Sequence, residues 1–344
     1  MAVSFDSCHP LSARVCTSLV YLGAACMAAT MVASNSLAAS ARWIPDKNVE
    51  IIAASNAGGG LDVFARLIQK AWLDNKIVEV PVNVVNKAGG GGSVAWNYLN
   101  QHAGDGHYLA GTSPTMLTGY VTGSSSVSYA DITPVSLLVA ENNVFSVAAN
   151  ASIQTGRQLL DRLRKGPESV NIGLAPGLGN HDHIALALVV SAAGVDPKKL
   201  KTVIFGGGGD IIAALLGGHV DLMVGPAPVA APLLSSGKLK ILAITADKRA
   251  AGVLAGVPTW KEQGIDVVVE GWRGVIGPKG MKESSVAYWE DALAKMIATD
   301  EWKKDLERNM WESKFLRSAP MNEFLKVQTE QFRRTLSDLG LAKR

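Results

Sequence analysis

The chain of 344 residues holds three cysteines, Cys8, Cys16 and Cys26, and none beyond them. A chain that lost its first forty residues would carry no disulfide, no thiolate nucleophile and no zinc–thiolate centre. Charge is also scarce: 18% of residues are charged, and 33 basic against 30 acidic side chains leave a net +3. The basic residues gather only in pairs, Lys198-Lys199, Lys303-Lys304 and Arg333-Arg334, which read as solvated helix faces. Without a basic block or stripe, no nucleic-acid partner is expected. Two catalytic signatures are missing as well, the G-x-x-x-x-G-K-[ST] phosphate loop and the G-x-S-x-G nucleophile elbow. His181 and His183 form the one close histidine pair. A spacing of two does not put both on one helix face and no third ligand stands nearby, so neither metal nor cofactor is expected. The remaining histidines, among them His102, His107 and His219, are scattered, and no Ser/His/Asp arrangement can be argued.

Two things are plentiful. Apolar residues make up 48% of the chain, which excludes a disordered polypeptide. Glycine numbers 35, about 10% against a usual 7%, without a collagen-like period. The length suits about two domains with full cores.

Arg14, the uncharged run 15–32 and the small residues of Ala38-Ala39-Ser40-Ala41 read as a secretory signal peptide over 1–41. Cleavage is expected after Ala41, with Ala38 second. An uncleaved anchor is the competing reading, although the Ala, Ser and Thr content makes the run weakly hydrophobic. A lipoprotein at Cys26 fits less well, because Leu22 lies four residues before the cysteine instead of three. No second spanning-length run follows, so a soluble periplasmic product is expected.

Beyond the leader, short β-rich runs alternate with helical patterns. Strands are predicted at 49–54, 82–85, 108–111, 170–174, 202–205, 220–224 and 241–245, with helices at 61–74, 94–102, 182–193, 210–216 and 229–235. This is α/β with largely parallel sheets, since strand–helix–strand spacing demands crossovers. From Lys282 onward the pattern reads as helix only. Residues 134–150 and 265–277 look like two crossings between lobes. Lobe 1 would comprise 42–142 and 267–344, and lobe 2 would comprise 143–266.

Four glycine clusters share one context, the turn between a strand and a helix: Asn56-Ala57-Gly58-Gly59-Gly60, Ala88-Gly89-Gly90-Gly91-Gly92, Pro176-Gly177-Leu178-Gly179 and Gly206-Gly207-Gly208-Gly209. Ligands of open α/β sheets bind outside the carboxyl ends of the strands. Glycine there bares backbone N–H groups, and the following helix N-terminus favours an anion. Asn56, Ser93, Thr112, Ser113, Thr115 and Asn180 surround these turns, so the cleft reads as polar and uncharged. Asp62, Asp182 and Asp210 stand at helix starts, where capping is the simpler role. Gly90 to Ala95 satisfies a G-x-G-x-x-A dinucleotide pattern, but the ribose-binding acid about 20 residues on is missing. A valine at Gly91 is expected to disturb a ligand at little cost to folding, provided φ there is negative.

Several segments together resemble the periplasmic substrate-binding proteins of tripartite tricarboxylate transporters, the Bug receptor family. They are the first glycine turn ending at Asp62, Val85-Asn86-Lys87-Ala88-Gly89-Gly90-Gly91-Gly92, and Gly104-Asp105-Gly106-His107-Tyr108. Leu215-Leu216-Gly217-Gly218-His219-Val220-Asp221, Gly237-Lys238-Leu239-Lys240, the run from Val257-Pro258-Thr259-Trp260 to Gly264, and Trp272-Arg273-Gly274 complete the pattern. The resemblance implies a two-lobed Venus-flytrap receptor of type II with two crossing strands. It implies a small carboxylated metabolite as ligand and membrane permease subunits as partners; no catalysis and a monomer are expected. Carried over by position, the binding residues would be Asn56, Ala57, Gly58, Gly59, Asp62, Gly90, Gly91, Ser93, Ser113 and Thr115 from the first lobe. The second lobe would add Gly177, Leu178, Gly179, Asn180, His181, Phe205, Gly206, Gly207 and Asp221. Two departures would open the pocket or leave more of its grip to backbone and water: no aromatic or proline stands just before Gly58, and four glycines follow Phe205. An exported enzyme acting on a small carboxylate, with His181 or His183 as base, and a ligand sensor for a signalling partner are the alternatives.

Overall fold

The computed structural model describes residues 43–175 and 177–343, and Ile44–Arg344 cluster as one compact unit. The expected signal peptide lies outside the described residues. Three short parallel strands come first, β1 (Val49–Ala53), β2 (Val82–Asn86) and β3 (Tyr108–Thr112). Val49, Ile51, Ile52 and Leu109 are almost wholly buried, as an apolar strand between two helical layers must be. Helices α1 (Gly60–Asp74) and α2 (Ser93–Asn100) make the crossovers. A third helix, α3 (Pro114–Thr122), follows β3 and had no clear signature in the pattern. Met116, Leu117 and Val121 are buried together with Thr118 and Gly119, so its apolar residues mark no single stripe.

Strand β4 (Ile132–Ala148) has 17 residues, roughly 55 Å of extended chain, and takes part in two sheets. Its first part pairs antiparallel with β9 (Glu270–Pro278) and β10 (Trp311–Arg317). Its last part pairs antiparallel with β7 (Leu222–Pro226) and β8 (Leu239–Ile244). Beside β7 stand β5 (Asn171–Leu174) and β6 (Lys201–Ile204), parallel to one another, with β5 also parallel to β7. The order along the main path is β2-β1-β3-β9-β4-β7-β5-β6. Parallel strands thus form the two outer sets, while the crossing strands join them antiparallel. The expectation of largely parallel sheets is corrected to mixed ones.

Each strand set carries its own helices. In the second set these are α4 (Gly156–Lys165), α5 (His181–Ala192), α6 (Gly208–Leu216) and α7 (Ala227–Ser235). Phe145 and Val144 are neighbours on β4 and point to opposite faces. Phe145 packs with Leu160, Leu186, Val190 and Trp260; Val144 packs with Ile211, Leu215, Met223 and Ala227. Ile184 of α5 instead joins the core of the first set, beside Trp96, Leu117, Trp272 and Phe332. That double duty explains why α5 is apolar around most of its circumference.

The chain returns through β9 and ends on α8 (Glu283–Ile297), α9 (Asp300–Asn309) and α10 (Ser318–Asp338). Trp289, Leu293 and Met296 of α8, and Leu325, Phe332 and Leu336 of α10, are buried as their spacing predicts. The reading of this region as helix only is corrected by β10. Met310 adopts a left-handed φ of 53° that ends α9, and Trp311 then starts the strand along β4. Among the described residues no helix is long and apolar enough to cross a membrane.

Candidate functional site at the strand ends

The first glycine turn is built around a buried carboxylate. Asp62, 2% exposed, accepts the Gly58 N–H at 2.8 Å, the Arg66 Nε–H at 3.0 Å and an Asn86 Nδ2–H at 2.8 Å. Its own N–H goes to Ser55 Oγ at 3.1 Å. Burial pushes the Asp62 pKa up, but the bonds from Arg66, Gly58 and Asn86 outweigh it and hold the group below the usual carboxylate range. Asp62 is therefore a brace of the turn, its oxygens engaged by the protein, whereas Asn56, Ala57 and Gly58 are exposed at the rim. Gly58, at φ 79°, needs glycine's freedom.

The second turn runs through four consecutive positive φ values, 123°, 54°, 61° and 94° at Gly89, Gly90, Gly91 and Gly92. A Cβ on Gly92 would enter the Trp96 indole, while one on Gly91 would approach only Ser124 Oγ, at 3.9 Å. The condition attached to Gly91→Val therefore fails: its φ of 61° strains any L side chain. Ser93 opens α2 half-buried. Ser113 is the N-cap of α3 without a side-chain capping bond, and Thr115 lies half-buried in its first turn.

In the third turn Gly177 is half-buried and open on its Cβ side, Leu178 is exposed, and Gly179 is buried against Thr122, Leu336 and Leu341. The last three belong to α3 and the C-terminal segment, so this turn touches the first strand set's helices. Asn180 caps α5: its Oδ1 accepts the His183 N–H at 2.9 Å and its Nδ2 donates to Ala175 O. His183 Nδ1 accepts the Gly179 N–H at 3.0 Å, and burial pushes its pKa down to about 4. His181 is different. Both its ring nitrogens are buried without a hydrogen-bond partner, its ring meets Phe332 edge-on at 6.2 Å, and burial pushes its pKa down to about 4. Beside it, burial raises the Asp182 pKa to about 7, opposed by the bond from Asn143 Nδ2 at 2.8 Å and aided by nearby Glu141.

At the fourth turn the Phe205 N–H donates to Leu174 O at 2.9 Å and its ring lies over Gly173. Gly206 is exposed. Gly207 has extended backbone, φ −170°, with open space where a Cβ would stand, and Gly208 packs against Val229. Asp221 is a correction. It precedes β7 at the amino ends of the parallel strands, where its Oδ2 takes the Asn171 N–H at 2.8 Å and Nδ2–H at 3.1 Å. It staples β5 to β7 at the far end from the glycine turns.

The crossing strands supply what composition concealed. Arg273 Nη2 donates to Glu141 at 3.0 and 2.8 Å, and Trp311 Nε1 donates to the same carboxylate at 3.2 Å. The guanidinium lies over the Trp311 ring, 5.2 Å from its centre. Gly271 stands opposite Glu141 in the β4–β9 ladder, and a Cβ there would come within 2.7 Å of Glu141 Cγ. On β4, Glu141 and Asn143 share a face by strand alternation, and Asn143 holds Asp182. A row from Arg273 through Glu141 and Asn143 to Asp182 thus leads from the start of α1 to the start of α5. Thr245 ties the two crossings together: its N–H goes to Asn143 O at 3.1 Å and its hydroxyl to Val269 O at 2.5 Å. Charged side chains thus stand beside the first glycine turn, in addition to the uncharged ones expected there. Their one signal was an arginine inside the apolar second crossing. Among the described residues no group of three His, Cys, Asp or Glu side chains could hold a metal ion.

Two strand sets joined by long antiparallel crossings, with glycine turns at the carboxyl ends of both, make the two-lobed architecture of periplasmic solute-binding proteins. The chain belongs to the tripartite tricarboxylate transporter family receptors, TctC, whose family model matches residues 64–341. It is 28% identical to BugT of Bordetella pertussis over 246 residues, 70% of this chain and 73% of that protein. A TctC solute-binding protein from Polaromonas is similar in structure, with a TM-score of 0.73 at 26% identity over 86% of this chain and 99% of that one. MatC from Rhodopseudomonas palustris, solved with malate bound, gives a TM-score of 0.70 at 24% identity over 85% of this chain and 100% of its own. The family and these neighbours are binding proteins, not enzymes.

Proposed function

We propose that this protein captures a small di- or tricarboxylate in the periplasm and delivers it to the membrane subunits of a tripartite transporter. The lobes are residues 42–142 with 267–344, and residues 143–266, and the receptor works as a monomer after losing residues 1–41. The observation that carries this reading is the placing of the glycine turns. Two lie at the carboxyl ends of β1 and β2, two at those of β5 and β6, so exposed backbone N–H groups and helix N-termini are offered from both lobes. The malate held by MatC supports a carboxylate as the ligand class. Capture is a population shift: the acid touches both lobes only when they close about β4 and β9, and it favours that state by its differential contacts.

A thermal-shift screen of residues 42–344 tests the proposal. An acid at 100 times its dissociation constant should add roughly 2.7 kcal/mol of stability. A screen in which neutral sugars or cations raise the melting temperature and no carboxylate does would overturn it.

A further inference from the structure

Arg273 stands where its charge is badly placed for a protein without a ligand. Its Nη1 lies 2.7 Å from the point a Cβ on Gly60 would occupy, so the guanidinium is pressed against the first turn of α1, the positive end of that helix. Gly60 and Leu61 hold the first two positions of α1, whose N–H groups have no acceptor within the helix. Glu141 answers part of the charge, through Nη2 alone. Nε is buried without a partner, and the hydrogen bonds of the guanidinium both run from Nη2 to Glu141. The side chain is 13% exposed, so water screens it little. A guanidinium carries five N–H donors, and here the two on Nη1 stand beside the first N–H groups of the helix. An anion placed there satisfies both sets and adds the charge that the helix end and the guanidinium favour.

We propose that Arg273 is a ligand-contacting residue: its Nη1 group and the first-turn N–H groups of α1 hold one carboxylate of the captured acid. The inference rests on the carboxylate-capture reading and gives it a charged anchor. Glu141 then acts as a positioning residue that fixes the fork through Nη2 and leaves Nη1 for the ligand. Gly60 and Gly271 are required at this site for close approach: a side chain on Gly60 would displace the guanidinium, and one on Gly271 would displace Glu141. Lysine would keep the charge but not the fork.

The test measures malate, succinate and citrate by titration calorimetry on the wild type and two variants. Arg273→Lys keeps a cation for Glu141, and Arg273→Met combined with Glu141→Gln leaves no buried charge unpaired. The double variant should bind about 10- to 100-fold more weakly, with Arg273→Lys between it and the wild type, while the melting temperatures without ligand stay close. In parallel, the Arg273 Nε–H resonance, assigned by its loss in Arg273→Lys, should move on adding the acid, a response that a purely structural ion pair would not give. Wild-type binding of an acid, with the double variant within twofold and the resonance unmoved, overturns this inference and leaves the carboxylate reading standing. A wild type that binds none of the three acids overturns the carboxylate reading, and the inference falls with it.

Discussion

Replacing Asp62 with alanine removes the brace under the first glycine turn. Three donors converge on that carboxylate, and their losses differ. Gly58 is exposed and its N–H turns to water at small cost. The Asn86 amide also donates to Ser55 O at 3.0 Å, so it loses one bond of two. Arg66 is half exposed and loses its ion pair. Hydrogen bonds to a buried charged group contribute about 1.5–3 kcal/mol each and do not add fully, so the total should be about 2–4 kcal/mol. For a chain of this length that is a fall of roughly 4–8 °C in melting temperature, measured by circular dichroism. Arg66→Gln, which touches only the half-exposed partner, should cost within about 1 kcal/mol. The pH dependence has a fixed sign. Because the folded Asp62 pKa is depressed, its contribution is present above the unfolded value near 3.8 and is lost as pH falls through the folded one. Acid binding should weaken in Asp62→Ala, since Gly58 is no longer fixed. A variant that melts within 1 °C of the wild type and binds as tightly would refute the bracing role.

Three further outcomes follow from the same geometry. Asp182 has a folded pKa raised to about 7, so its stabilising effect is present at low pH and is lost between about pH 4 and 7. Asp182→Asn keeps an acceptor for Asn143 and should therefore gain on the wild type in melting temperature from pH 5 to pH 8; parallel curves would count against it. His181 and His183, depressed to about 4, should make the protein lose stability as pH falls from about 6.5 to 4, and His183→Asn should flatten part of that slope in a thermal scan. Gly92→Ala should cost about 2–4 kcal/mol in urea denaturation from its left-handed φ and the Trp96 clash, whereas Gly207→Ala should fold within about 0.5 kcal/mol of the wild type and change ligand affinity.

Much of the fold was legible because period and burial agree. The strands predicted near Val49, Val82 and Tyr108 begin where the structure begins them, since each is an apolar run between turn residues. The crossing predicted over 134–150 is β4, betrayed by a long apolar run without glycine. What escaped has physical causes. Helix α3 is buried on too many sides to show a stripe, and the strand of Trp311 to Arg317 is an edge strand whose charged residues suit a helix surface equally well. At the site, glycines could be placed at strand ends, but sequence cannot show which turn a helix covers, and Gly179 proves to lie under Thr122 and Leu336. Asp221 belonged to a recognisable segment, yet only strand direction reveals that it sits at the wrong end of β7. Arg273 was visible as a residue, but its meeting with Gly60, 213 positions earlier in the numbering, depends on the pairing of β3, β9 and β4.

The proposed capture requires that one carboxylated ligand be gripped from both strand sets at their carboxyl ends. A crystal structure of the protein with the acid that most raises its melting temperature tests this directly. The acid is expected between the α1 and α5 N-termini, contacted by backbone of the Gly58 turn and by at least one turn of the second set. An acid found elsewhere, or held by one strand set alone in a closed protein, would contradict it.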